Sequence, residues 1–240
     1  MQIFKDLAQD VRDLFPHDSW KIWCTLLTAI LLQIAFWHLA TPGPNLIGFE
    51  PQGFRAAISS VGWSVLLLWF VPIMLIKPLG LTRKGLGLTF GDYKAGLPII
   101  FYGGSLAVVA MGLASADPAI QTIYPWPGSS AGSSMQALIK WAGFYVLYYA
   151  SFEFFYRGFL LRTLQKALGL MPAVWIQAFA ATLIHLGKPF AETVAAFPAS
   201  LLFALIAVRT KSLFYPIALH FIIGISIDIF SLARKGQLFP

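Results

Sequence analysis

The chain has 240 residues and a formal charge of +7, yet only 11% of its residues are charged and 58% are hydrophobic. A soluble domain carries about 25% charged residues, so this composition, with a mean hydropathy of +0.73, excludes an ordinary water-soluble domain and indicates an integral membrane protein. The basic residues are scattered between apolar runs, a topology signal with no nucleic-acid footprint, and the single cysteine, Cys24, excludes an intrachain disulfide and a cysteine metal cluster.

Residues 1–20 mix four aspartates with Ile3, Phe4, Leu7, Val11, Leu14 and Phe15 at helical spacing. This predicts a short amphipathic helix lying on the membrane surface. The segment has no signal-peptide core, so insertion is expected to rely on the first spanning helix. A span takes about 20 apolar residues. The candidates are residues 22–40, 56–76, 95–115, 137–161, 172–186, 193–208 and 213–232. The expectation is an all-α polytopic transmembrane helix bundle of six to eight spans, with seven the best figure. Its parts are a surface helix at 1–20, N-terminal membrane helices at 21–135, core helices at 136–232 and a tail at 233–240. No internal repeat is visible.

The loops carry the orientation. "TPGPNLIGFEPQGFR" and "ADPAIQTIYPWPGSSAGSS" are nearly neutral, whereas "KPLGLTRKGLGLTFGDYK" holds Lys77, Arg83, Lys84 and Lys94 against Asp92. The positive-inside rule puts that basic loop in the cytoplasm, with Arg162, Lys166, Arg209 and Lys211 on the same side. Seven spans then leave the C-terminus outside, where Arg234 and Lys235 break the rule.

Beyond residue 94 the acids are Asp117, Glu153, Glu192 and Asp228, and His185 and His220 interrupt apolar runs. An ionisable group at bilayer depth costs about 3 kcal/mol or more, faces the bundle interior and marks a functional site by default. Glu153 and Arg157 are four apart in "ASFEFFYRGFLL", on one helix face, with the acid N-terminal to the base. Gly158 would admit a close backbone neighbour. A carboxylate with a histidine can activate water, a second histidine can stabilise an oxyanion, and an arginine can hold the carboxylate ionised. That set suits peptide hydrolysis without a covalent nucleophile. A Glu and two His could instead ligate zinc, but no HExxH spacing is present. No cofactor is therefore expected, with zinc the alternative.

Three stretches carry a resemblance. "FEFFYRGFLL", "IHLGKPFAE" and "RTKSLFYPIALH" resemble, in order, the three motifs of the CPBP family, the CAAX prenyl endopeptidase and bacteriocin-processing intramembrane proteases of glutamic or ABI type. The first motif is EExxxR, the second FxxxH, the third His with Asn or Asp four residues on. The likeness spans about residues 136–230. It maps Glu153 and Arg157 onto the first motif, His185 onto the second and His220 onto the third. Phe152 replaces the first glutamate, the family's usual candidate for activating water. Ala181 replaces the second-motif phenylalanine, and Gly224 the third-motif Asn or Asp. Asp228 lies one turn further on.

The resemblance implies an intramembrane endopeptidase cutting a membrane-associated peptide or protein, with the bilayer and no nucleic acid as its other partner, in a bacterial plasma membrane. Glu153 with His185 would activate water, His220 would stabilise the oxyanion, and Arg157 would position Glu153. Lys188 and Glu192 would bind a charged substrate end or pair with each other; Asp228 would support the site. The rivals are a non-catalytic immunity or scaffold protein of the same fold, and a transporter. One conflict stands in this reading. Glu153 and His220 fall in the inner half of the membrane, and His185 falls near the outer end of a short helix.

Overall fold

The computed structural model describes residues 2–14, 16, 19–40 and 53–240. Phe15 and most of the first neutral loop, residues 41–52, lie outside the described residues. Every regular element among the described residues is helical. In chain order these are α1 (Gln2–Leu14), α2 (Trp20–Leu39), α3 (Phe54–Leu75), α4 (Tyr93–Ala114), α5 (Pro118–Ile123), α6 (residues 135–168), α7 (Leu170–Leu183), α8 (Phe190–Thr210) and α9 (Phe214–Arg234). Helices α2, α3, α4, α8 and α9 are long and apolar enough to cross a membrane. With α6 and the shorter α7 they give about seven spans, as the hydropathy pattern predicts.

Local chemistry sets the helix starts. The side chains of Asp92, Asp117 and Ser134 accept hydrogen bonds from the backbone N–H groups of Ala95, Ala119 and Ala137, capping α4, α5 and α6. Helix α1 is amphipathic as expected, and Ile3, Phe4, Leu7, Val11 and Leu14 are all exposed.

The central element is α6. It runs as regular helix Met135–Glu153, widens to π-turns over Phe154–Leu160, and returns to regular helix over Leu161–Leu168. All seven residues of the wide stretch are buried. A helix apolar on all sides belongs inside a bundle, and α6 packs against α2, α3, α7 and α9. Gly158 does admit close neighbours: a Cβ there would lie 3.0 Å from Leu213 and 3.4 Å from the Leu86 carbonyl.

The fourth span was expected to end at Leu161, but the helix continues to Leu168. Arg162 and Lys166 lower the hydropathy without ending the helix. Gly169, at φ 87°, then reverses the chain into α7. Glu153 lies sixteen residues before Gly169 and His185 sixteen after it. At 1.5 Å per residue both stand about 24 Å from the tip of this hairpin. The two residues are level, which removes the conflict in depth.

The connections sort onto two ends of the bundle. At one, the Asp92 N–H donates to the Thr210 carbonyl, the Leu213 N–H to the Gly87 carbonyl, and the Lys166 ammonium to the Gly80 carbonyl. This end gathers the basic loops. At the other, Arg234 donates to the Ser115 hydroxyl and the Gly112 carbonyl, and Lys235 donates to the carbonyls of Gln121 and Tyr124. The two basic residues that break the positive-inside rule thus cap the C-terminal ends of α4 and α5.

The Tyr215 ring of α9 lies against Gly96 of α4, where a Cβ would run into it. Gly96→Val is expected to destabilise the bundle by roughly 1–3 kcal/mol through overpacking. Thermal unfolding in detergent checks this; an unchanged melting temperature would show that the helices do not meet so closely.

Candidate active site

Glu153 ends the regular part of α6 and Arg157 lies in the wide stretch after it, still one turn away. The Arg157 Nη1 stands 3.3 Å from Glu153 Oε1. His220, two turns into α9, places Nδ1 2.6 Å from the same oxygen. Glu153 and Arg157 are fully buried, and the His220 side chain keeps 17% of its surface exposed. Burying one ion of a pair alone costs several kcal/mol, so such groups must be matched. Arg157 is further enclosed by the rings of Phe152, Phe203 and Tyr156, with its guanidinium carbon 5.5, 5.4 and 5.8 Å from their centroids. Each face adds a cation–π contact. Glu153 Oε2 meets no hydrogen-bond partner among the described residues.

His185 closes the same locality from α7. Its Nδ1 lies 2.8 Å from the Ala181 carbonyl oxygen. A carbonyl only accepts, so this bond fixes the proton on Nδ1 and leaves Nε2 as the acceptor in the neutral ring. Phe152 stands in contact with both histidines, its ring 6.1 Å from that of His185 and 5.2 Å from that of His220. The residue replacing the first motif glutamate therefore fills the space that the two imidazoles share. Tyr149 lies along His220 at 4.3 Å between ring centroids, and Phe203 at 5.0 Å. Nothing in the motif spacing singles out Tyr149; its place one turn before Glu153 was the one available signal.

The side chains of the remaining candidates take other hydrogen-bond partners. Lys188 and Glu192 pair at 3.1 Å. Lys188 donates to the Tyr124 hydroxyl oxygen, and the Tyr124 O–H donates to Glu192 Oε1 at 2.7 Å. Burial, and then the Glu192 charge, push the Tyr124 phenol well above its usual range, so it stays a donor. The ammonium also sits over the rings of Tyr124 and Trp126. Asp228 is buried and accepts from the Trp141 indole N–H at 2.6 Å. Eight residues beyond His220, it lies about 12 Å further along the helix and anchors the aromatic core. Among the described residues no group of three or more His, Cys, Asp or Glu is placed to hold a metal ion.

Residues 134–226 match a family described as type II CAAX prenyl endopeptidase Rce1-like, which agrees with the CPBP character of the motifs. The matched segment holds α6, α7, α8 and the half of α9 that carries His220. No curated protein and no solved structure matches the chain.

Removing one partner of the buried cluster should cost more than removing both. Arg157→Gln is expected to destabilise by about 3–5 kcal/mol, because Glu153 is left buried without its cation. The Glu153→Gln, Arg157→Gln double variant should recover most of that loss. Unfolding in detergent measures both; equal losses would mean the pair is not electrostatically coupled. Trp141→Phe, which orphans Asp228, should cost about 1–3 kcal/mol, and adding Asp228→Asn should relieve part of it.

Proposed function

Starting from an Rce1-like core at residues 134–226, we propose that the chain is an intramembrane endopeptidase of glutamic type. It hydrolyses a peptide bond in a membrane-associated protein or peptide, in a bacterial plasma membrane. The observation that carries this reading is the buried Glu153–His220 pair with Arg157 behind it and His185 across the shared Phe152 ring.

The roles follow from which atoms are engaged. Arg157 stands against the Glu153 carboxylate, and the His220 Nδ1–H donates a hydrogen bond to that carboxylate. That orients the imidazole, makes Nε2 the more basic nitrogen and stabilises the cation formed when Nε2 takes a proton. His220 Nε2 removes a proton from water as its oxygen attacks the peptide carbonyl carbon. The protonated imidazole then returns that proton to the leaving amine as the carbon–nitrogen bond breaks. His185 presents a second Nε2 acceptor to the same locality and helps to hold the water. Glu153 thus acts through His220, a different pairing from the Glu153–His185 base expected from the motifs. Lys188, Glu192 and Tyr124 stand apart as a charged platform for a substrate end.

A second reading is favoured by Phe152 and by the complete burial of Glu153: a non-catalytic protein of the same fold that binds a membrane partner. The two readings separate in proteoliposomes given membrane-anchored peptides, with new termini mapped by mass spectrometry. The peptidase reading expects wild-type cleavage, lost by roughly 100-fold or more in Glu153→Gln and His220→Ala. If wild-type and Glu153→Gln proteins yield the same background of termini, the peptidase reading falls and the binding reading stands.

A further inference from the structure

The two histidines present two acceptors, and the cation beside them, Arg157, is fully buried. In their neutral forms His185 and His220 both commit the Nδ1 proton, one to the Ala181 carbonyl and one to Glu153. Each offers a lone pair at Nε2. Attack on a peptide carbonyl places negative charge on its oxygen, and that charge needs preorganised hydrogen-bond donors. Arg157 is turned to Glu153 and buried among aromatic rings, away from this task.

Gly224 shows where a donor lies. It stands one turn after His220, at the position where the third motif would carry Asn or Asp. A Cβ built on Gly224 would fall on the Tyr149 hydroxyl oxygen and the adjoining ring carbons. The space that a residue-224 side chain would enter is thus already filled, from another helix, by a phenol O–H. The Tyr149 ring is held in place by Tyr145 at 4.6 Å and Tyr148 at 5.2 Å between centroids, with His220 at 4.3 Å on its other contacts. A ring packed in this way has lost its freedom before substrate arrives, which is what a preorganised donor requires.

We propose that Tyr149 is a catalytic residue: its hydroxyl, occupying the side-chain space of position 224 beside His220, donates the hydrogen bond that stabilises the oxyanion. Gly224 and Tyr149 are then one exchange. The donor reaches this space from α6, and residue 224 must stay without a side chain to admit it. No bond forms or breaks at Tyr149; its proton remains on the phenol oxygen throughout. The proposal rests on the peptidase reading above.

The test uses the full chain in proteoliposomes with a membrane-anchored peptide that the wild type cleaves. Tyr149→Phe keeps the ring against His220 and removes the hydroxyl alone. It should lower kcat by roughly 100- to 1000-fold, with KM unchanged. Gly224→Asn alone should collide with the ring and lose activity. Gly224→Asn combined with Tyr149→Ala should recover activity over Tyr149→Ala, because an amide donor then enters the vacated space. Full activity in Tyr149→Phe, a loss expressed in KM, or no recovery in the combined variant would each overturn the proposal. If Tyr149→Phe is fully active while Glu153→Gln is dead, only the role of Tyr149 falls. If the wild type cleaves nothing, both the peptidase reading and this one fall.

Discussion

A carboxylate and a guanidinium with no access to water, inside a bundle made of apolar helices, set the terms for the rest of this structure. Isolated, either ion would be costly at this depth. The Glu153–Arg157 contact brings the net charge to zero, His220 adds a hydrogen bond to the same oxygen, and three aromatic faces enclose the cation. Each support comes from a separate place: Phe152 and Tyr156 from α6 itself, Phe203 from α8, His220 from α9. The three helices must hold their relative positions for the charges to be tolerated. The widened turns directly follow Glu153, and residues 154–160 are all buried. Wide turns of this kind recur at functional sites.

Much of this was legible in the sequence, and the limits have physical causes. Hydropathy found the spans because hydrocarbon thickness imposes a length. The basic loop at residues 77–94 marked one end of the bundle. Glu153, Arg157, His185 and His220 stood out because ionisable groups in apolar runs are rare. The extent of α6 was not legible, because Arg162 and Lys166 look like a membrane boundary when hydropathy alone is read. A helix does not end where it becomes polar; it ends where a residue such as Gly169 reverses the backbone. The partners of Asp228 and Tyr149 were also hidden. Trp141 is 87 positions from Asp228, and the filling of the Gly224 side-chain space by Tyr149 depends on how α6 and α9 meet. Pairing across such separations leaves no spacing to count in a single sequence.

The C-terminal residues show a related lesson about charge. Arg234 and Lys235 counted against seven spans while they were treated as free cations. In the structure each is occupied with carbonyl oxygens at the ends of α4 and α5. A cation bound to a helix end serves the fold, so its presence on that side weighs little on the orientation set by the loops at the other end.

The equal spacing of Glu153 and His185 from Gly169 turns the α6–α7 hairpin into a ruler. The level of these two residues lies at a fixed distance from the hairpin tip, fixed by residue count and helix rise. For a peptidase built this way, selection among membrane-tethered chains becomes a matter of reach. A susceptible bond is one whose distance from its own anchor brings it to that level, so two substrates with unrelated sequences can be equivalent, and one sequence on two tether lengths can be both substrate and bystander.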